Sequence, residues 1–383
     1  MTTVDPNVYK KPGGLPIPTV GGGFGGGISG QGAGTVTGTD GKTLRPATLY
    51  GRRWSVLIYK RAYKKDKDGK TVRDEEHDIS IDCSLLRCVW HTEHKINTYV
   101  TLCSLIVYNL NAVTEGSILE DGFQISIQGG YQQGQYGEIF TGDIIQTFRN
   151  RENGVDYRLE IVAVKGILDL DCNYVRATVA AGSTPRTQIQ AVAQQADKPI
   201  QVGNVSKNLN QTPLPRGKVF FGTPAKYLRA IGVENDAHFW IYDDKVTVQK
   251  VADEIPEDQC LVLTPATGLI GTPVYSNDGI HISMLLDARV KLGTLIKIDN
   301  SIIQRQQIQL DQAQAMSDPK KAAGMNQIPQ PWMFDQSGEY QVFSVSHSGD
   351  TWGDTWKTDV IGVSRQGRLG LLTPMKDSGT ITR

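Results

Sequence analysis

From Tyr50 to Ile161 the chain is a succession of short runs with apolar residues on alternate positions, cut at close intervals by Gly, Asn and Asp. Side chains two apart share a face of a strand, whereas a helix repeats every 3.6 residues, so a run of this kind buries its apolar face in a sheet. Trp54, Val56 and Ile58 form one such face. The charged stretch Lys60 to Lys70, with Asp68-Gly69, reads as a hairpin tip, and Ile79, Ile81 and Cys83 begin the next strand. Leu86/Cys88/Trp90, Tyr99 to Leu110, Phe123/Ile125/Ile127, Ile139 to Ile145 and Tyr157/Leu159/Ile161 continue the series. Six or more strands at this spacing predict a barrel or sandwich over residues 48–182.

The periodicity then changes. Thr184-Pro185 and Thr223-Pro224 each have the form of an N-cap followed by Pro at the first helical position. Ile189, Val192, Ala193 and Ala196 lie on one helical face, and Gly232 is placed to stop the second helix. Phe239 to Tyr242 and Val246 to Val248 flank Asp243-Asp244 as a hairpin, so residues 183–257 read as a small α+β domain. Alternation returns near Leu261, with Ile280, Ile282, Met284 and Leu286, the short run Leu295 to Ile298, and Tyr340 to Val345 opposite Trp356 to Val363. The fold class predicted is mainly β with an α+β insertion, residues 258–383 forming the second β domain.

Two segments stand apart. Residues 12–39 carry no charge, and thirteen glycines fall between Gly13 and Gly41. Such a stretch has too few side chains for a core, so residues 1–47 read as an arm, either a flexible linker or a segment ordered by neighbouring subunits. Residues 301–331 interrupt the second β domain with eight glutamines, a polar insertion longer than ordinary connections.

The 40 basic and 40 acidic residues cancel, which removes long-range steering toward nucleic acid or anionic lipid. Cysteines 83, 88, 103, 172 and 260 make an odd set without a CxxC pair, so reduced thiols are expected rather than a disulfide framework or a zinc ribbon. Met1 to Lys11 lacks the apolar core of a signal peptide and no 18-residue apolar run occurs, so synthesis in a cytoplasm with no membrane span is expected.

No motif for catalysis or cofactor binding emerges. Gly41-Lys42-Thr43 and Gly69-Lys70-Thr71 end like a phosphate loop, but Val36 and Lys64 stand where its first glycine belongs. His91 and His94, three apart on a strand, point to opposite faces and read as a solvated strand end. His77 and His281 fall at exposed parity. His347 beside Ser346, Ser348 and Asp350 has the composition of a triad without its geometry, and a hydrogen bond stabilising a turn is the expected role. Asp143, Asp169 and Asp171 are among 40 acids and single out no glycosidase pair. Arg52-Arg53, Lys60-Arg61 and Lys64-Lys65 form a basic run that the following acids neutralise, again as in a solvated hairpin. No catalytic, cofactor-binding or metal-binding residue is therefore predicted, and the chain is not expected to be an enzyme. Trp352 and Trp356 are expected to serve folding or an interface.

Several segments taken in order resemble the baseplate central hub proteins of contractile-tailed, myovirus-type bacteriophages. They are Ile106-Val107-Tyr108-Asn109-Leu110, Ile125 to Tyr131, Gly137-Glu138-Ile139-Phe140-Thr141-Gly142-Asp143-Ile144, Leu263 to Pro273, and Tyr340 to Thr358 with its Trp352 and Trp356. The resemblance implies two tail-tube-like β-barrels per chain and a homotrimer in the virion tail baseplate. It further implies a tail tube or tube-initiator protein on one side, a trimeric spike protein on the other and neighbouring baseplate proteins around it. No cofactor and no nucleic-acid specificity are implied. Another tube or spike component is the alternative, followed by a glycan-binding or glycan-cleaving tail protein.

Overall fold

The computed structural model describes residues 8–9 and 49–364, apart from 66–70, 75–77, 97–99, 119–122, 243–244, 251–252, 254–259, 277–278, 299–303, 306–337 and positions 133, 153 and 211. The glycine-rich arm, beyond the two-residue strand β1 (Val8–Tyr9), and nearly all of the glutamine-rich insertion lie outside these residues.

The chain is mainly β, with antiparallel pairing dominant. The first region contains β2 (Arg52–Lys60), β3 (Tyr63–Lys65), β4 (Thr71–Arg73), β5 (Ile79–Asp82), β6 (Cys88–Lys95) and β7 (Thr101–Tyr108). A short helix α1 (Ala112–Ile118) leads to β8 (Gln124–Tyr131), β9 (Tyr136–Glu152) and β10 (Asp156–Lys165). β3 pairs with β4 antiparallel, from Tyr63↔Arg73 to Lys65↔Thr71, and the expected tip with Asp68-Gly69 lies outside the described residues. The spatial order β5-β2-β8-β9-β10-β7-β6 begins and ends with strands consecutive in sequence, so the turn of residues 83–87 brings the two ends of the sheet together. The sheet thus wraps one core, to which Val56, Ile58, Ile81, Trp90, Leu105, Ile125, Ile127, Phe140 and Ile161 contribute from alternate positions.

At Gly166 (φ 101°) the chain turns into a single helical turn, α2 (Ile167–Leu170), and enters the middle region. There β11 (Val175–Val179) pairs with β13 (Lys218–Gly222), and β15 (Lys245–Lys250) pairs with β12 (Gln201–Val205) in parallel and with β14 (Ala237–Tyr242) antiparallel. Helices α3 (Pro185–Gln194) and α4 (Pro224–Glu234) close its core, α3 starting at Thr184, whose hydroxyl accepts the Thr187 N–H. The boundary expected at residue 182 is corrected: Leu170, Val175, Ala177 and Val179 all bury in the middle core. The alternation of β11 carries no information about its partner. Gly232 does not stop α4, which continues to Glu234, and Asp236 supplies the positive φ of 52° that ends the turn.

The last region comprises β16 (Cys260–Val262), β17 (Leu269–Ser276), β18 (Gly279–Leu285), β19 (Leu295–Lys297), β20 (Gln304–Arg305), β21 (Glu339–Asp350) and β22 (Trp356–Ser364), around a core of Ile280, Ile282, Met284, Tyr340, Val342 and Val360. On β14, Phe239 and Ile241 face the middle core while Trp240 points into the last one, which docks the two regions together.

One arrangement occurs twice. In the first region the hairpin β6–β7 meets the hairpin β9–β10 through β7 and β10, giving the order β6-β7-β10-β9. In the last region β17–β18 meets β21–β22 through β18 and β22, giving β17-β18-β22-β21. An antiparallel strand flanks the unit in each case, β8 beside β9 and β19 beside β21. The two units are joined edge to edge, because β21 also pairs with β6 from Ser344↔Lys95 to Asp350↔Val89. A bulge at Phe343 separates the part of β21 paired with β19 from the part paired with β6, and the Phe343 carbonyl accepts the Ile96 N–H at 3.0 Å.

Candidate functional site

The seam between the two β regions gathers the chemistry-bearing residues that the sequence scatters. Trp90 on β6 and Trp356 at the start of β22 are 1% and 3% exposed, and their rings meet edge to face at 5.2 Å. Trp54 on β2 completes the cluster at 6.1 Å from Trp356. Trp356 and Leu286, both from the last region, belong to the core of the first. Gly349 lies against Trp90: a Cβ there would stand 2.3 Å from Cζ2 and 2.5 Å from Cε2 of that indole. Gly349→Ala is therefore expected to destabilise the protein by about 1–3 kcal/mol, measured by denaturant unfolding, since both groups are fixed on paired strands. An unchanged midpoint would refute the close fit.

The turn of residues 350–355 is clamped to the end of the first region. Arg87 pairs with Asp350 at 2.8 Å, the Thr351 hydroxyl accepts the Cys88 N–H at 2.9 Å, and Arg52 donates to the carbonyls of Gly353 and Asp354. Burial pushes the Asp350 carboxyl up, but the bond from Arg87 and the N–H groups of Trp352 and Gly353 outweigh it and hold its pKa below the usual value. The solvated role expected for the basic run is corrected for Arg52; Arg53 is exposed, and the side chains of Lys64 and Lys65 lie outside the described residues. Arg52 also lies over Trp356 at 5.4 Å, Arg53 over Tyr136 at 4.5 Å, Lys60 over Phe123 at 5.3 Å and Arg61 over Tyr59 at 5.5 Å. Sequence reasoning missed these because the rings that receive the cations, Tyr59 apart, lie far along the chain.

The histidines divide by strand parity. His91 is exposed and its Nδ1 lies 2.9 Å from the Ser348 hydroxyl, while His94 is buried on the opposite face. The solvated role expected for His94 is thus corrected; its burial, with the neighbouring His347, holds its pKa down to about 4. His347 lies within β21, not in a turn. The Asp287 N–H donates to the Thr358 hydroxyl at 3.0 Å, the same hydroxyl lies 2.9 Å from His347 Nδ1, and the Val290 backbone also bonds the imidazole. Burial holds His347 near 4 as well, against the opposing pull of Asp287. Ser346 and Ser348 face His91, His347 faces Thr358, and Asp350 faces Arg87, so the triad composition has no triad geometry.

Elsewhere the chemistry is sparse. Asp143 and Asp169 line one cleft of about 270 Å³, where Arg61, Lys165 and Lys198 join them, and Asp143 accepts a hydrogen bond from Gln124 at 2.7 Å. Asp171 caps α2. His281 is exposed, and His77 lies outside the described residues. None of the five cysteines forms a disulfide; burial, with Asp82 adding, pushes the Cys83 thiol up to about 12, and burial also raises Cys88 and Cys103. Among the described residues no cluster of His, Cys, Asp and Glu is placed to hold a metal, and no helix is long and apolar enough to cross a membrane. Of the two tryptophans singled out, Trp356 is core and Trp352 is 72% exposed.

No protein-family model matches the sequence, and no curated protein does. Among solved structures, the chain is similar to the 43 kDa tail protein of prophage MuSo2 from Shewanella oneidensis, at 9% identity over 82% of this chain and 98% of that one, with a TM-score of 0.46. It is similar to a tail protein from Neisseria meningitidis MC58, at 10% identity over 82% and 97%, with a TM-score of 0.42. A third is a component of the type VI secretion system of E. coli, at 10% identity over 75% and 77%, with a TM-score of 0.43.

Proposed function

We propose that the chain is the structural baseplate hub of a phage tail, a homotrimeric adaptor between a sixfold tail tube and a threefold central spike. The observation that carries this reading is the repeated strand unit, β6-β7-β10-β9 and β17-β18-β22-β21, joined edge to edge in one chain. Three chains with two units each supply six quasi-equivalent positions, so a ring can face a sixfold tube while keeping true threefold symmetry for a spike. The segments that carry the sequence resemblance support it, since Ile106 to Leu110, Gly137 to Ile144 and Tyr340 to Thr358 fall largely on the repeated strands β7, β9, β21 and β22.

The role is passive. At the seam the His91 imidazole bonds the Ser348 hydroxyl, the His347 imidazole the Thr358 hydroxyl and the Asp350 carboxylate the Arg87 guanidinium, and the reading assigns them no turnover, cofactor or metal. The purified chain is expected to have a native mass of three copies and to show threefold particles whose outer ring has six lobes. A six-copy ring, or a monomer at high concentration, would sink the reading. Peptidoglycan turnover that a single substitution abolishes would favour a glycan-cleaving tail protein instead.

A further inference from the structure

We infer that the outer half of β9 is an assembly edge, filled by the β17 side of a second copy of this chain, so that the contact made within one chain by β6 and β21 recurs between chains. This rests on the trimeric reading above and names the surface that would build it.

Within the repeated unit β6 corresponds to β17, and β21 to β9. Both β21 and β9 are paired along their first part with an antiparallel flanking strand: Glu339 to Gln341 with β19, and Tyr136 to Asp143 with β8. Both then run on past that partner. In β21 the continuation, Ser344 to Asp350, is covered by β6. In β9 the continuation, residues 145–152, pairs with β10 on one side and, among the described residues, with no strand on the other. It exposes two large apolar side chains, Ile145 at 54% and Phe148 at 44%, beside the exposed Arg149, Asn150 and Arg151. An extended edge that carries apolar residues and no proline is a template for another chain.

The counterpart of β6 is open in the complementary way. Among the described residues the outer side of β17 is paired with β20 at Val274 and Tyr275 alone, and ahead of these Ile270 is 41% exposed with Gly271 and Thr272 exposed beside it. Gly271, at φ 67°, and Pro273 limit ladder formation there. The contact is therefore short, and apolar burial of Ile145, Phe148 and Ile270 dominates it. Each copy offers one edge and one filler, a head-to-tail interface that closes into a ring when the rotation is threefold. Seams within and between chains then alternate around six positions.

Two measurements test this. Ile145→Asp with Phe148→Asp changes only exposed side chains, so the melting temperature of the monomeric fold is expected to hold while association weakens at least tenfold in analytical ultracentrifugation. In a Cys172→Ser, Cys260→Ser background, chains carrying Ile270→Cys alone, co-assembled with chains carrying Phe148→Cys or Asn150→Cys alone, are expected to give a reducible covalent dimer. A trimer that persists in the double aspartate variant, or that yields no covalent dimer from either pairing, overturns the assigned edge and leaves the trimeric reading standing. A monomeric unmodified chain overturns both.

Discussion

Replacing Trp356 by alanine is expected to lower the unfolding free energy by about 3–5 kcal/mol, the usual range for removing a buried indole. Trp356 is 3% exposed, packs edge to face on Trp90 and Trp54, and carries the Arg52 guanidinium over its ring. It starts β22 of the last region yet fills the core of the first, so the loss should appear as earlier unfolding of both regions together. Among the described residues the Trp356 indole N–H has no acceptor, so Trp356→Phe forfeits packing without orphaning a hydrogen-bond partner and is expected to cost well under half as much. Trp352→Ala, at a 72% exposed position, is expected to change stability by no more than about 0.5 kcal/mol. Denaturant melts of the three variants, followed by tryptophan fluorescence, decide the matter. Equal effects of the alanine changes at 352 and 356, or unfolding of only one region in Trp356→Ala, would contradict a shared core.

Acidification is expected to weaken the same seam. His94 and His347 sit at near-diagonal positions on β6 and β21, both with a folded pKa of about 4 because burial disfavours the imidazolium, and the nearby His347 lowers His94 further. Asp287 also faces His347 and favours its charge, while Lys291 opposes it. The unfolded chain, with histidine pKa near 6.5, binds more protons than the folded one below that pH, so stability is complete above about 6.5 and falls as pH drops toward 4. Between pH 7 and pH 5 the loss should reach about 2 kcal/mol for each histidine. Unfolding free energies at pH 7, 6 and 5 for the unmodified chain and for His94→Gln and His347→Gln would show it, each variant having a shallower slope. A flat profile in the unmodified chain would remove the effect.

These effects meet at a seam that local sequence reading does not see. Alternation marked most strands of the two β regions, though not β11, β12, β13 or β17, and which of their residues face inward: Val56 and Ile58, Ile125 and Ile127, Ile280 and Ile282 all bury as their spacing requires. It did so because strand parity depends on adjacent residues alone. The same parity put His91 and His94 on opposite faces, and Thr184-Pro185 marked the start of α3 through purely local capping chemistry.

Strand partnership was decided elsewhere. Hydrogen bonds between strands join residues up to some 260 positions apart, as in Val89↔Asp350, and nothing in the alternation of β6 says whether its free edge meets β5, β21 or water. Tertiary packing alone assigned β11 to the middle core, lent Trp356 to the first barrel, turned Arg52 from a solvated cation into a clamp, and buried the face on which His94 and His347 lie. The sequence by itself determined the elements and their two faces; only the fold decided which faces and edges meet, because that choice depends on the summed fit of distant surfaces rather than on any neighbouring residue.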